Sequence, residues 1–156
     1  MAELADSATR SMTHARTRIL GTADDLFYAE GVHTVGVDRI IVQARVTKAT
    51  FYKYFRSKDE LIVAYLEGRD QRVRDFINGI DARHDTPEQR LRAVVAEISN
   101  QVRREGFHGC PFINAAAQFA DAAHPVRQVV TTYREWYGAI VENLFRGASA
   151  PRRCGG

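Results

Sequence analysis

Apolar side chains recur every three or four positions along most of the chain and nowhere alternate singly for long enough to make a strand, so the pattern predicts an all-α protein. The first helix should run from about Thr13 to Glu30. Ile19, Leu20, Ala23, Leu26 and Phe27 share one stripe, and Gly31 stands where a left-handed residue would end the helix. A short helix from about Val37 to Ala44 follows, burying Val37, Ile40 and Ile41, and a brief turn leads to a second, from Lys48 to Tyr54. Helices this short cannot build a core alone. The first helix must close over them, which makes a three-helix head.

Ser57-Lys58-Asp59-Glu60 has the spacing of a capping box, with the serine hydroxyl accepting from the third helical amide and the glutamate reaching back to the serine amide. It should start a helix of about twenty residues, on which Leu61, Ile62, Tyr65, Leu66, Val73, Phe76, Ile77 and Ile80 keep near-helical spacing. That helix links the head to a helical body. Thr86-Pro87-Glu88-Gln89 opens the next helix with a second box; Leu91, Val94, Val95, Ile98 and Val102 form its stripe and Gly106 marks its end. Pro111 to about Ala120 is apolar, alanine-rich and expected to be buried. Pro125 begins a longer helix with Val126, Val129, Val130, Tyr133, Tyr137, Ile140, Val141 and Leu144 on one face, ending at Gly147. The expected organisation is a head over residues 1–56, a body over 57–147 and an unstructured tail over 148–156.

Composition narrows the class of function. With 45% apolar and 26% charged residues in 156, the chain is globular rather than disordered. It has no apolar run of membrane-spanning length, and its first residues mix charged, polar and small types, which predicts a cytoplasmic protein without an anchor or signal peptide. The two cysteines, Cys110 and Cys154, form no CxxC or zinc-module spacing, and there is no HExxH, GxSxG or glycine-rich phosphate loop. No cofactor, metal or enzymatic activity is expected. An enzyme built on Cys110, His108 or Asp121 would need a reactive thiol, and His108-Gly109-Cys110 matches no activating geometry.

The net charge of +3 is informative only in its distribution. Residues 10–58 carry nine bases against four acids, whereas residues 59–156 carry thirteen of each. Arg39, Arg45, Lys48, Lys53, Arg56 and Lys58 follow one another with no acid between the first and last. A basic cluster is first of all a solvated face, so nucleic-acid binding must rest on more than charge. The segment Val37 to Tyr54 supplies it, because its length and pattern are those of a helix-turn-helix. Thr47 caps the second helix and leaves backbone amides directed outward, a site favourable to a phosphate oxygen, with Lys48 beside it. Ala49 is small enough to let the helix axis approach base edges, Lys53 shares its side, and Tyr52 and Tyr54 are potential phosphate donors. Phe51 and Phe55 should face inward. Lys58, ill placed for the dipole of its own helix, hints at an external anion.

Gly31, Ile40, Ala44, then the run from Val46 to Phe55 (Val-Thr-Lys-Ala-Thr-Phe-Tyr-Lys-Tyr-Phe) and Ser57-Lys58-Asp59-Glu60-Leu61 resemble the DNA-binding head of the tetracycline-repressor (TetR) family of bacterial regulators. The resemblance covers roughly residues 13–66. It implies that Thr47, Lys48, Ala49, Thr50, Tyr52, Lys53 and Tyr54 meet DNA and that Lys58 reaches its backbone. Two departures stand out: Arg45 replaces the turn glycine and could add a phosphate contact, and Val35-Gly36 replaces the usual threonine cap. The segment from Gly109 to Ala117, followed by His124-Pro125-Val126-Arg127, is similar to the effector-binding part of one TetR subgroup. By that likeness Phe107, Phe112, Asn114, Phe119, Tyr133 and Trp136 are candidates to line a small-molecule pocket, although residues at such spacing are first of all core.

The implied function is a DNA-binding transcriptional regulator, a ligand-responsive repressor that binds a palindromic double-stranded operator as a homodimer. Family members usually continue into two further helices that form the dimer contact. Here Gly147 is followed by an Ala, Pro, Arg and Gly-rich stretch, so truncation is expected and dimerisation is in doubt. The alternatives are a helical protein-interaction module without operator binding, or a truncated, non-functional regulator.

Overall fold

The computed structural model of the chain describes residues 2–149, with side chains from residue 14 onward. Among these residues the regular elements are all helices: α1 (Ala2–Glu30), α2 (Val37–Gln43), α3 (Lys48–Tyr54), α4 (Lys58–Arg83), α5 (Pro87–Arg103), α6 (Pro111–Gln118) and α7 (Pro125–Ser149). The all-α class is therefore as expected. The tail expected from residue 148 falls partly inside α7, and residues 150–156 lie outside the described ones.

Local signals account for most of the helix ends. Gly31 takes φ +89° and its amide donates to the Phe27 carbonyl at 3.0 Å, closing α1. Thr86 accepts from the Gln89 amide at 3.3 Å while Gln89 Oε1 accepts from the Thr86 amide, so the box that opens α5 is complete. The box at α4 is only half formed. Ser57 Oγ accepts from the Glu60 amide at 3.1 Å, but Glu60 reaches past the serine and accepts from the Arg56 amide at 2.8 Å. Gly36 precedes α2 without a side-chain cap, as its lack of a side chain requires.

One buried cluster runs through the head and on into the body. Ile19, Ala23, Leu26 and Phe27 of α1 meet Ile40 and Ile41 of α2, Phe51 and Phe55 around α3, and Leu61, Ile62, Tyr65 and Leu66 of α4. Phe112 and Ala115 of α6 and Val126 and Val130 of α7 belong to the same cluster. The division expected at residues 56 and 57 thus falls inside continuous packing. A smaller cluster joins Ile77 and Ile80 of α4 to Val94 of α5, with Trp136, Ile140 and Leu144 of α7 packed against it. Because α4 serves both clusters, its buried positions sit near its two ends and its middle is polar.

That middle is pinned by ions. Asp24 of α1 accepts from Arg69 Nε and Nη2 at 2.8 and 2.7 Å and from Arg72 Nη2 at 2.7 Å, while the Arg69 guanidinium lies 4.5 Å from the Tyr28 ring centre. Further along, the Arg74 guanidinium sits 4.0 Å over Trp136 of α7. Opposite-sign hydrogen bonds of this kind are each worth roughly 1 kcal/mol or more when partly shielded from water.

Two expectations of the body need correction. The spacing on α5 predicts a covered stripe, yet of its members only Val94 is buried, and Val95, Ile98 and Val102 stand 52, 47 and 54% exposed. Helix α5 packs on α4 and α7 with one side, and among the described residues nothing covers the other. Gly147, expected to end the last helix, lies within α7. Its place is explained by packing: a Cβ there would stand 2.8 Å from Pro87 Cβ and 2.9 Å from Pro87 Cγ, so only glycine lets α7 pass the start of α5 this closely.

Ala in place of Gly inside a helix ordinarily adds about 0.5–1 kcal/mol of stability. Gly138→Ala, with open space around the position, should show that gain as a higher melting temperature. Gly147→Ala should instead lower it, by about 1 kcal/mol or more from overpacking. Equal shifts in thermal denaturation of the two variants would refute the packing role of Gly147.

Candidate nucleic-acid interface

The turn between α2 and α3 is built by backbone bonds, and these force an unusual conformation on one residue. The Val46 amide donates to the Ile41 carbonyl at 3.2 Å and the Arg45 amide to the Val42 carbonyl at 3.1 Å, the pattern of a Schellman motif. The motif needs a left-handed residue, and Arg45 supplies it with φ +53°. For a residue with a Cβ this costs about 1–2 kcal/mol. The substitution of arginine for the turn glycine changes the side chain and keeps the turn.

Thr47 then caps α3. Its Oγ1 accepts from the Thr50 amide at 3.1 Å and lies 2.8 Å from the Thr50 hydroxyl. Thr50 is half-buried and its hydroxyl is engaged with Thr47, so it stiffens the start of the helix. Thr47, Lys48, Ala49, Tyr52 and Lys53 are exposed. Helix α3 is held from behind by Phe51, which is fully buried, and by Phe55, which is buried just past its end. The Tyr52 ring stands edge-on to Phe51 with centres 5.2 Å apart, leaving the side chain 44% exposed. Tyr54 is half-buried against the head core, a less open position than its place in the motif suggests.

The charges on this face are partly balanced. Lys48 Nζ is 3.8 Å from Asp38 Oδ1 of α2, and both are well exposed. Arg39 is tied to Glu30 through two bonds of 2.6 and 2.8 Å, and that arginine holds the Glu30 carboxyl below its ordinary value. Lys58 Nζ donates to the His33 carbonyl at 3.3 Å, joining the first turn of α4 to the loop before α2, and burial pushes its ammonium below the usual lysine value. That bond uses one of three N–H donors, so the side chain retains others for an anion.

The residues expected to line an effector pocket do not share one wall. Phe112 is buried and stacks on Tyr133, with ring centres 3.6 Å apart, and burial pushes the Tyr133 phenol well above its ordinary value. Trp136 follows along α7 and packs with the smaller cluster. Asn114 and Phe119 turn toward the head instead. Asn114 Nδ2 donates to the His108 carbonyl at 2.7 Å, and the Phe119 ring lies 4.9 Å from His33 and 4.5 Å from His124. Phe107 is 41% exposed and joins none of these groups. A small cavity does lie between head and body, lined by Phe27, Tyr28, Tyr65, Asn114, Ala115 and Gln118 among others. Of the six candidates only Asn114 reaches it. Tyr28 and Gln118 were missed because their spacing places them beside core positions and nothing local marks their partners: the Tyr28 hydroxyl donates to the Gly109 carbonyl at 3.1 Å and the His33 amide donates to Gln118 Oε1 at 2.9 Å.

A short helix capped by threonine, backed by buried phenylalanines and presented with basic and phenolic side chains outward, is the recognition half of a helix-turn-helix DNA-binding domain. Comparison with known proteins agrees. Residues 19–65 match the family model described as bacterial regulatory proteins, tetR family, and residues 87–151 match the tetracyclin repressor-like C-terminal domain. The crystal structure of SCO4454, a TetR-family transcriptional regulator from Streptomyces coelicolor, is 42% identical with a TM-score of 0.84, over 86% of this chain and 71% of that one. The transcriptional regulator AcuR of Cereibacter sphaeroides is 33% identical over 127 residues, covering 78% of this chain and 56% of AcuR. The transcriptional repressor NemR of Escherichia coli K12 is 27% identical over 120 residues, covering 74% and 59% of the two chains. The chain belongs to the TetR family and is a transcriptional regulator with a helix-turn-helix DNA-binding domain, not an enzyme. It spans between roughly a third and three quarters of the length of the relatives it matches. Among the described residues no helix is long and apolar enough to cross a membrane.

Arg45→Gly should raise the stability of the chain by about 1 kcal/mol, since glycine takes the left-handed conformation without strain. Thr47→Ala should lower it by about 1 kcal/mol through loss of the cap. Chemical denaturation of both variants checks the pair, and a destabilised Arg45→Gly would contradict the strain assigned to the turn.

Proposed function

We propose that this chain acts in the cytoplasm as a ligand-responsive repressor that binds a palindromic operator as a dimer, with α3 in the major groove. The observation that carries this reading is the outward face of α3: Thr47, Lys48, Ala49, Tyr52 and Lys53 on a helix capped and backed so that its axis is fixed. Lys48, Tyr52, Lys53, Tyr54, Lys58 and Arg45 would meet backbone phosphate, while Ala49 and the exposed edge of Thr50 would face the base pairs. Repression is the role that NemR carries in its name, which supports the same role here.

Ligand response is supported by the way the body grips the head. Tyr28 of α1 both donates to the Gly109 carbonyl and accepts from the His108 amide at 3.2 Å, and α6 packs into the shared core, so a change around α6 must be felt in the head. A small-molecule effector entering between α6 and α7 would part Phe112 from Tyr133, with Trp136 further along α7 and Asn114 at the cavity that α6 shares with the head. Dimerisation is supported by the apolar side of α5, where Val95, Ile98 and Val102 lie uncovered among the described residues.

Selection of bound duplexes from a random pool tests the reading. An inverted repeat with half-sites about one helical turn apart, or a multiple of it, is the expected outcome. Enrichment of a single half-site would refute the dimer, and no enrichment at low salt would refute operator binding.

A further inference from the structure

Helix α1 crosses the head beside both ends of α3, and it brings two arginines that the helix-turn-helix pattern does not include. Ala15 and Ile19 form its buried seam there. Arg16 and Arg18 are exposed and lie on opposite sides of that seam, as helical spacing requires. The Arg18 Nε donates to the Ala44 carbonyl at 3.2 Å, which places it beside Arg45, two residues before the cap of α3. The Arg16 guanidinium lies 5.5 Å from the centre of the Phe55 ring, which places it beside Arg56, just past the end of α3. Arg18 therefore stands at the residue before Arg45, near the entry of the recognition helix, and Arg16 at the residue before Arg56, just past its exit.

Two features separate these four side chains from ordinary surface charge. Among the described residues none of them pairs with a carboxylate, although Arg39 and Lys48 nearby do. Of the two acids in the first turn of α4, Asp59 lies 3.2 Å from His124 and Glu60 accepts from the Arg56 backbone amide, not from its guanidinium. Like charges gathered without a counter-charge repel one another, a cost that a polyanionic partner reverses. The second feature is preparation: Arg18 uses one of its five N–H donors on Ala44, and Arg16 rests its flat face near a ring. Each is held in place with most of its donors unspent. Between the two positions runs the seven-residue α3, about 10 Å long, and the major groove that such a helix enters is ~12 Å wide with phosphate strands as its borders.

We propose that Arg16 and Arg18 bind backbone phosphates on either side of the groove that α3 enters, each completing a pair with Arg56 and Arg45. The inference rests on the DNA-binding reading of α3 and extends its footprint onto α1. These contacts add affinity without sequence preference, because phosphates carry no base information.

The test is the salt dependence of binding by the full chain to a random-sequence duplex of about 30 base pairs, long enough to cover the footprint of a dimer. The slope of log K against log salt should become shallower by about 0.9 for each phosphate that is no longer neutralised. Arg16→Gln with Arg18→Gln together should therefore flatten it by about 1.8, whereas Arg16→Lys with Arg18→Lys should leave it near the wild-type value. Glutamine at position 18 keeps a donor for Ala44, so an unaltered slope in a folded Gln variant would overturn the proposal. Should the Gln pair fail to fold, Arg16→Gln alone carries the test: a slope shallower by about 0.9 supports its half of the proposal and an unchanged slope overturns it. Lys48→Gln serves as the reference: a slope that flattens for Lys48→Gln and not for the Arg16 and Arg18 variants rejects this inference alone, while a wild-type chain that retains no duplex at low salt rejects the DNA-binding reading with it.

Discussion

The first two turns of α4 are buried in the head while the next stretch is held to α1 by the carboxylate of Asp24, and this double attachment governs what the rest of the molecule can do. Leu61, Ile62, Tyr65 and Leu66 fill the space beneath α1, α2 and α3, so the head has no complete core without them. Arg69 and Arg72 then fix the direction in which α4 leaves. The Tyr65 ring stands edge-on to Phe27 with centres 5.6 Å apart, and burial pushes its phenol up to about 12. At its other end α4 packs with α5 and α7, so under the proposed ligand response it is the element through which a displacement in the body would reach the head.

The same logic explains why α3 tolerates strain at its entry. A seven-residue helix in water is unstable by itself, since nucleation costs more than so few bonds return. Its stability comes from Phe51 and Phe55 in the shared core, each removal of which would cost about 3–5 kcal/mol. Against that support, the roughly 1–2 kcal/mol of a left-handed arginine is small. Arg45 can therefore occupy a position that favours glycine, provided that the charge it brings is used. Structural over-determination of the turn by the Ile41 and Val42 carbonyls makes this possible.

Much of this architecture is legible in the sequence where the cause is local. Gly31, Thr47, Thr86 and Pro87 announce helix ends because their own backbone or side chain sets the end. The inward facing of Phe51 and Phe55 follows from spacing alone. Long-range contact is what spacing cannot carry. Gly147 reads as a terminator and is a contact point, because its reason lies on another helix, at Pro87. Glu60 reads as the partner of Ser57 and binds Arg56, since two amides compete for one carboxylate within reach. The outer stripe of α5 has the spacing of a covered face and is open among the described residues, because periodicity tells which side is apolar and not whether anything lies upon it. In the candidate interface the motif residues are visible in the sequence, while Arg16 and Arg18 belong to a different helix and only the fold brings them to α3.

Geometry sorts the basic residues that composition merely counts. Residues 10–58 hold the whole positive excess of the chain. Within that segment Glu30 takes up Arg39, Asp38 stands near Lys48, and Lys58 is turned to a carbonyl. Among the described residues of that segment, the arginines without an acid partner, Arg16, Arg18, Arg45 and Arg56, lie near the two ends of α3. Had the excess served only solubility, it would have no reason to gather around the short capped helix α3. With an acid on Arg39 and none on Arg16, Arg18, Arg45 and Arg56 among the described residues, the unneutralised arginines of the head stand near the recognition helix, where a polyanionic partner would relieve their mutual repulsion.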